Sequence, residues 1–257
     1  MKISKPFLFL TIVIAVVSLA CNFGMGGGQA TEAPPQPQQP VEAVDQQPEQ
    51  QSPPTEAPPP TEPPAPAAQE YFTEEFDGDT SNWKVSTELN ASDGDLNQAD
   101  IYVEDGYLVF DLGKNLIGYV FYEPFKYKNV RIDVQVDNRG TNVNNVLLVC
   151  RVSDEGHYLV NIANSGLYAM YAFDGTNGNY TRIADGGSTK IRAGKETNKY
   201  SLVCSDRTLT LYINGNEQRS YTDNQFVFRD GLIGVGVASE DVVPVKLDFD
   251  WVKISQP

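Results

Sequence analysis

Apolar and polar residues alternate in short runs from residue 70 to the C-terminus. The run 131–136 is the clearest, because Ile or Val occupies every second position and Arg, Asp and Gln occupy the others. A period of two is typical of a β-strand that buries one face, whereas an amphipathic helix has a longer period that this region does not show. The same pattern predicts strands at 107–112, 116–122, 146–152, 158–162, 167–173, 200–204, 208–213, 232–237 and 245–254.

Turn-forming pairs separate these runs. Asp-Gly, Ser-Gly or Asn-Gly lies at 105–106, 165–166, 174–175 and 214–215. Asp-Gly and Asn-Gly supply the positive φ angles that tight hairpins need. Many short strands in meander order, without helical crossovers, predict an all-β fold. We expect an antiparallel two-sheet β-sandwich that spans residues 69–257.

Three segments of this region resemble the C-terminal half of concanavalin A-like (LamG-like) jelly-roll domains. They are Thr-Leu-Thr-Leu-Tyr-Ile-Asn-Gly at 208–215, Asp-Gly-Leu-Ile-Gly-Val-Gly at 230–236 and Leu-Asp-Phe-Asp-Trp-Val at 247–252. Glu-Phe-Asp-Gly at 75–78, followed by Trp83, is similar to the first strand of that superfamily, and 150–168 resembles exported bacterial relatives of the DUF1080 type. The resemblance implies a jelly roll over about 70–255. Because its motifs are structural, it implies a fold more than a function.

Residues 1–20 have the layout of a secretory signal peptide. Lys2 and Lys5 precede an apolar run at 7–20, which as a helix spans only about 21 Å, short of the roughly 30 Å of a bilayer core. The run ends in Val-Ser-Leu-Ala-Cys, which resembles the lipobox of bacterial lipoproteins and implies that Cys21 is lipidated. We therefore expect an exported protein, lipid-anchored to the bacterial membrane, with its domain outside the cytoplasm. The alternatives are a plain signal peptide with an incidental Cys21, or an uncleaved anchor.

Proline dominates the segment that follows. Thirteen of the 17 prolines lie between Pro34 and Pro66, and Thr-Glu-Ala-Pro-Pro occurs at both 31–35 and 55–59. Such a composition buries too little apolar surface to offset the entropy of ordering, and proline with like charges extends the chain. We expect residues 21–68 to form a disordered tether that carries the domain away from the membrane.

The cysteine count is consistent with a lipid anchor. The chain has three cysteines, and an exported protein rarely leaves one thiol unpaired. If Cys21 carries lipid, Cys150 and Cys204 remain, and both lie in predicted strands. A disulfide between them would stabilise the fold by roughly 4 kcal/mol in the chain-entropy model. Two buried free thiols are the alternative.

The charge of the chain limits its partners. The formal net charge is −15, and such an acidic surface disfavours nucleic acids and anionic lipids as partners. We therefore expect a membrane contact through the N-terminal lipid alone. His157 is the single histidine, which disfavours a multi-histidine metal site or a hydrolytic triad. A glycan or another cell-envelope polymer is the expected partner.

Enzymatic activity is the less favoured interpretation. A retaining glycosidase needs two carboxylates about 5 to 5.5 Å apart, and the glucanases of the jelly-roll superfamily carry a Glu-x-Asp-x-x-Glu signature. This chain has no such run. We therefore expect a non-catalytic carbohydrate-binding or adhesive module. A sugar-processing enzyme, either a glycoside hydrolase or a DUF1080-like enzyme, is the alternative, and a structural cell-envelope protein is a third.

Strand alternation also predicts candidate ligand-binding residues. Sugars present apolar faces and hydroxyl rims, which suit stacking on aromatic rings and hydrogen bonds to amides or arginine. If the Ile, Val and Leu positions of the strands face the core, five such side chains fall on the opposite side. They are Gln135, Arg151, Asn161, Tyr168 and Tyr212. For each residue alone, an ordinary structural role is the alternative.

Calcium is the only cofactor that the sequence suggests. Asp93, Asp95 and Asn97 precede Glu104 with a spacing that superficially resembles an EF-hand loop. An EF-hand requires glycine at the sixth position, where this chain has Gln98, and it requires flanking helices. These residues could still hold a structural calcium ion in a sandwich, although solvated turns have the same composition. No other cofactor is expected.

Overall fold

The computed structural model describes residues 68–257. The signal peptide, the lipidated Cys21 and the Pro-rich tether up to residue 67 lie outside the described residues, and all three stay predictions. Within 68–257 no helix is both long and apolar enough to cross a bilayer.

The described residues form fifteen β-strands and a single 3-10 turn at Leu96–Gln98. In chain order the strands are β1 (Phe72–Glu74), β2 (Trp83–Leu89), β3 (Ala99–Glu104), β4 (Tyr107–Leu112), β5 (Leu116–Tyr127), β6 (Val130–Asn138), β7 (Asn145–Ser153), β8 (Gly156–Ala163), β9 (Leu167–Asp174), β10 (Asn179–Gly187), β11 (Thr197–Ser205), β12 (Thr208–Ile213), β13 (Asn216–Thr222), β14 (Gly231–Ala238) and β15 (Val245–Ser255).

The strands pair into two antiparallel sheets, which confirms the predicted fold class. Sheet I has the order β13-β12-β11-β6-β15-β4-β3, and β1 pairs with the end of β15. Sheet II has the order β10-β9-β8-β7-β14-β5-β2. Neighbours in each sheet are often distant in sequence, as in the pairing of β6 with β15. This non-sequential order is typical of a jelly roll rather than a simple meander.

The core lies between the two sheets and follows the predicted alternation. In β6 the residues at 130, 132, 134 and 136 are buried, while those at 131, 133, 135 and 137 are partly exposed. Phe110 of β4 and Phe249 of β15 are fully buried, and their ring centroids lie 5.1 Å apart. Burial of large side chains at about 25 cal/mol per Å² of apolar area is the main stabilising term of such a fold.

The predicted disulfide is present. Cys150 on β7 and Cys204 on β11 are bonded, with a Cα–Cα distance of 6.8 Å. Because β7 belongs to sheet II and β11 to sheet I, the bond crosses the core and joins the two sheets. Both cysteines are completely buried, which protects the bond from external thiols.

The predicted Asn-Gly hairpin is also present. Asn214 and Gly215 connect β12 to β13 with φ angles of 48° and 77°, both in the left-handed region. Asparagine tolerates this region and glycine adopts it without steric cost, so this pair favours the tight turn. The Asn214 side chain also accepts a hydrogen bond from the Lys199 amide, at 2.8 Å, which fixes the turn against β11.

The chain enters the sandwich at β1, where two tyrosines hold it. The hydroxyl of Tyr122 donates a hydrogen bond to the carbonyl of Gln69, and the hydroxyl of Tyr127 donates one to the carbonyl of Glu70. Both tyrosines come from β5 of sheet II, whereas β1 belongs to sheet I. The entering segment is therefore attached to both sheets.

Candidate functional site

The outer face of sheet II is apolar and aromatic. The exposed face of an antiparallel sheet is usually polar. Here Tyr119, Leu147 and Leu159 point away from the core and yet expose only 4%, 1% and 7% of their surface. They form a second apolar cluster, separate from the core, which Tyr171 and Phe121 cover in part. A face with this composition can hold a ligand that has apolar surface.

Two aromatic rings lie flat across glycines of β14. Tyr119 pairs with Gly236, and Phe121 pairs with Gly234 on the neighbouring strand. A Cβ atom at Gly236 would lie 2.8 Å from the Tyr119 ring, so the absence of a side chain lets the ring lie across the strand. The two rings stack with their centroids 5.5 Å apart. The local sequence, Tyr-x-Phe opposite Gly-x-Gly, therefore forms a flat aromatic floor.

Tyr180 reaches this floor from the far edge of the sheet. The hydroxyls of Tyr119 on β5 and Tyr180 on β10 lie close together, and both residues line the same groove. Four strands separate β5 from β10, a distance of about 24 Å in a flat sheet. Two tyrosine side chains cannot cover that distance, so sheet II must curl towards its outer face. The resulting concave surface is a groove, with Tyr180 above part of it.

An aromatic cluster supports Tyr180 in this position. Its ring lies 4.8 Å from that of Phe173, its partner on β9, and its hydroxyl lies 3.3 Å from Nε2 of His157. His157 stacks on Phe173 with centroids 4.9 Å apart. Burial lowers the pKa of His157 to about 4, so the imidazole is neutral at pH 7 and acts here as an aromatic packing residue.

The groove has a volume of about 400 Å³, within the range of small-ligand sites. A second cavity of about 420 Å³ adjoins it, because Asn161 and Tyr171 line both. Together they run from β2 across the sheet to β10. The groove is lined by Glu88, Leu89, Asn90, Ile117, Tyr119, Asn145, Leu147, Leu159, Asn161, Tyr171, Tyr180, Ala238 and Glu240.

The polar groups of the groove are amides, hydroxyls and two carboxylates. Asn145 on β7 is more than nine-tenths buried, and its Nδ2 donates a hydrogen bond to Oε1 of Glu240 at 3.4 Å. Burial raises the pKa of Tyr119 above its ordinary value, and the nearby Tyr180 and Glu88 add to this effect. The groove thus combines aromatic rings with hydrogen-bonding groups, which is the composition that sugar recognition requires.

Of the five predicted ligand-binding residues, Asn161 lies in the groove and Tyr168 lines only the adjoining cavity. Asn161 of β8 points outward and lines both cavities. Gln135 and Tyr212 also point outward, but from sheet I, on the opposite surface of the sandwich. There Gln135 donates a hydrogen bond to Asp250, and Tyr212 lies under the guanidinium of Arg131 at 5.1 Å. The five residues are therefore not brought together.

Arg151 and Tyr168 do not lie on the outer face, and their predicted placement was wrong. Arg151 is 2% exposed with a φ of 60°, at an irregularity in the pairing of β7 with β8 that breaks the alternation. Its guanidinium donates hydrogen bonds to the carbonyls of Phe228 and Lys128 at 2.8 and 3.0 Å. Tyr168 shares the inward face of β9 with Met170, because the alternation along β9 is the reverse of the one assumed.

The candidate calcium residues make contacts within the protein. Asp93 forms an ion pair with Lys114 at 2.6 Å and accepts a hydrogen bond from Asn115 at 2.7 Å. Asp95 caps the 3-10 turn by accepting a hydrogen bond from the Asn97 amide at 3.0 Å. In the described part of the chain, no group of three or more His, Cys, Asp or Glu side chains is arranged to hold a metal. Calcium binding stays a prediction.

Several groove residues were not identified from the sequence. Tyr119 lies on β5, far along the chain from Tyr171 and Tyr180 on the β9–β10 hairpin, and Glu88 comes from a strand that was not predicted. The pairing of Tyr-x-Phe at 119–121 with Gly-x-Gly at 234–236 was a usable signal. Two small residues at alternate positions in a strand indicate that another group lies across that strand.

Comparison with known proteins identifies relatives in structure alone, since no protein-family model and no curated sequence matches the chain. A β-glucanase of Bacillus licheniformis has a TM-score of 0.55 and 11% identity over 74% of this chain and 100% of that chain. A Bacillus subtilis protein of unknown function with a galectin-like fold has a TM-score of 0.55 and 9% identity, covering 72% and 94%. A GH16 protein of Bacteroides ovatus, solved with a product, has a TM-score of 0.52 and 14% identity, covering 72% and 99%. At these identities the comparison shows the fold alone: residues 68–257 form a two-sheet concanavalin A-like jelly roll.

Proposed function

We propose that the protein is an exported, lipid-anchored module that binds carbohydrate in the groove of sheet II without cleaving it. The observation that supports this most directly is the composition of the groove. Tyr171 and Tyr180 offer rings at its sides, while Asn145 and Asn161 offer amides beside an apolar floor. A sugar ring can stack on a tyrosine through its C–H face and hydrogen-bond to the amides through its hydroxyls. Two of the similar structures, a β-glucanase and a product complex, belong to proteins whose names concern glucans.

A glycan array with the purified chain tests this proposal, run once with calcium and once with a chelator. We expect selective binding that Tyr171→Ala weakens about five-fold or more, since loss of one stacking ring costs on the order of 1 kcal/mol. Tyr212→Ala is the matched control, because Tyr212 is a strand tyrosine on the outer face of sheet I. Equal binding by the native chain and Tyr171→Ala would reject the groove as the binding site. Binding only with calcium would indicate that the site lies in the acidic loops instead.

Hydrolysis is the second candidate, because two carboxylates line the groove. Glu88 and Glu240 are both exposed at its β2 end. The outward residues at the centre of sheet II, Leu147 and Leu159, are apolar and cannot act as acid or base. We therefore expect no release of reducing ends when a bound oligosaccharide is incubated with the chain. Release of reducing ends by the native chain that is lost in Glu88→Gln or Glu240→Gln would instead establish a glycoside hydrolase.

The lipid anchor is tested separately. We expect the native chain, produced in a bacterium that processes lipoproteins, to fractionate with membranes and to require detergent for extraction. Cys21→Ser removes the acyl acceptor, and the chain should then no longer be anchored by lipid. Mass spectrometry of the native N-terminus should show acyl chains on Cys21. An unmodified Cys21 would reject the anchor and leave the binding proposal unaffected.

A further inference from the structure

The two carboxylates of the groove have no basic partner. Most buried or half-buried acidic side chains on sheet I are paired, as in the ion pairs of Arg131 with Asp133 and of Arg139 with Asp248. By contrast, neither Glu88 nor Glu240 forms an ion pair with a lysine, arginine or histidine of residues 68–257. No basic side chain lines this groove, whereas Arg182 lines the adjoining cavity, where its guanidinium lies 5.9 Å from the centre of the Tyr171 ring. The end of the groove next to β2 therefore presents negative charge to a ligand.

A buried amide adds an acceptor beside these carboxylates. Asn145 is 8% exposed and lines the groove. Its Nδ2 atom donates to Glu240, and the backbone amide of Asn115 donates to the Glu240 carbonyl at 3.2 Å, so residue 240 is held in place. The Asn145 side-chain oxygen accepts no hydrogen bond from another described residue. This oxygen is not among the fully buried atoms without a partner, so it is accessible from the groove and free to accept a hydrogen bond from a ligand.

The chemistry of this set is complementary to an ammonium group. An ammonium has three donors and no acceptor, whereas the carboxylates and the Asn145 oxygen are acceptors. Tyr119 and Tyr180 add aromatic rings, and burial, with a smaller effect of the nearby Glu88 charge, raises the pKa of each hydroxyl. Aromatic rings attract cations through their π faces. The carboxylates, the Asn145 oxygen and the aromatic rings thus all favour a ligand that carries an ammonium group.

We infer that the groove selects glycans that carry free, protonated amino groups, such as chains of N-unsubstituted hexosamine. This inference rests on the proposed function, because it names the ligand class of the same groove. The sugar ring stacks on the tyrosines, and its ammonium binds Glu88, Glu240 and the Asn145 oxygen. N-acetylation removes the positive charge of the amine and two of its three hydrogen-bond donors. A uronic acid instead places a further negative charge beside the two carboxylates of the groove. Both changes disfavour binding.

Titration calorimetry with three oligosaccharides of equal length tests the inference. The probes are a glucosamine oligomer, its N-acetylated counterpart and an oligogalacturonate, in a mildly acidic buffer in which sugar amines are protonated. We expect the amine oligomer to bind at least about ten-fold more tightly than the acetylated one, as for a charge-assisted over a neutral hydrogen bond. This advantage should shrink with added salt, and the oligogalacturonate should not bind.

Two double variants separate the groove from the overall charge of the protein. Glu88→Gln with Glu240→Gln should make the amine and acetylated oligomers bind equally. Glu123→Gln with Glu217→Gln removes the same two charges elsewhere, and should leave the preference unchanged. Equal binding of both oligomers by the native chain, or a preference that survives in the groove variant, would overturn the inference while the proposed function stands. If no oligosaccharide binds and the glycan array is also blank, the proposed function itself fails.

Discussion

Tyr119 and Tyr180 line the same groove with their hydroxyls close together, although their strands are separated by four others in sheet II. Their contact joins the floor of the groove to the hairpin formed by β9 and β10. It accompanies the curvature of the sheet on which the proposed site depends. Without this contact, the concave shape of the outer face of sheet II would be less strongly restrained.

We predict that Tyr119→Phe loosens the β9–β10 hairpin. The substitution keeps the ring over Gly236 and removes the hydroxyl, so it should cost about 1 kcal/mol of unfolding free energy. Hydrogen exchange of residues 171–182 should become faster while exchange in sheet I does not change. Tyr200→Phe is the control, because the Tyr200 side chain is largely buried and its hydroxyl forms no hydrogen bond with another described residue. Unchanged exchange in the hairpin would contradict the role of the Tyr119 hydroxyl.

We predict a large loss of stability when the inter-sheet disulfide is removed. Replacing Cys150 and Cys204 together by alanine frees a loop with a sequence separation of 54 residues. The chain-entropy model gives a loss of roughly 4 kcal/mol, and the cavity left by two sulfur atoms adds to it. Chemical denaturation of the native and double-variant chains measures the difference. A change below about 1 kcal/mol would show that the two sheets are held together by packing alone.

We predict that Gly236→Ala disrupts the groove. A Cβ atom there would lie 2.5 Å from the Gly118 carbonyl oxygen and 2.8 Å from the Tyr119 ring, so the ring must move. Overpacking of this kind costs roughly 1 to 3 kcal/mol, and glycan affinity should fall with it. Gly187→Ala on β10 is the control, because its Cβ atom would approach nothing closer than 3.7 Å. Equal stability of the two variants would contradict the packing of Tyr119 over β14.

We predict a specific acid sensitivity from the single histidine. Burial lowers the pKa of His157 to about 4, below its unfolded value of about 6.5. Between these values the unfolded chain binds more protons, so stability falls as pH falls through this window. The full contribution is on the order of 3 kcal/mol and is lost by about pH 4. Denaturation of the native chain and of His157→Gln from pH 7 to 5 should show a steeper slope for the native chain. Parallel curves would contradict the prediction.

The sequence was sufficient to predict the buried strands but not the edges of the sheets. Every predicted strand corresponds to an observed one, because alternation is strong where one face packs in the core. The unpredicted strands β2, β3, β10 and β13 are the four edge strands of the two sheets, and β1 is a short additional one. Edge strands bury few side chains; in β13, for example, none is buried. They therefore lack the periodic apolar signal, and natural edges favour polar residues that resist further pairing.

The candidate site was harder to predict than the fold for a related reason. Alternation separates inward from outward positions, but a sandwich has two outer faces. Gln135 and Asn161 both point outward, and only the long-range strand order places them on opposite surfaces. The groove also depends on the curl of sheet II, which brings Tyr119 and Tyr180 together. Neither the strand order nor the curl is encoded in a local pattern of residues.

The attachment of the entering chain to both sheets has a mechanical consequence. The described part of the chain begins just before β1, which pairs in sheet I, whereas the groove lies on sheet II. If the module holds a glycan while its N-terminus is anchored, tension enters through one sheet and leaves through the other. The hydroxyls of Tyr122 and Tyr127 pass part of this load directly from residues 69 and 70 to sheet II, and the disulfide resists shear between the sheets. These two hydrogen bonds and the disulfide would therefore oppose separation of the two sheets under such a load.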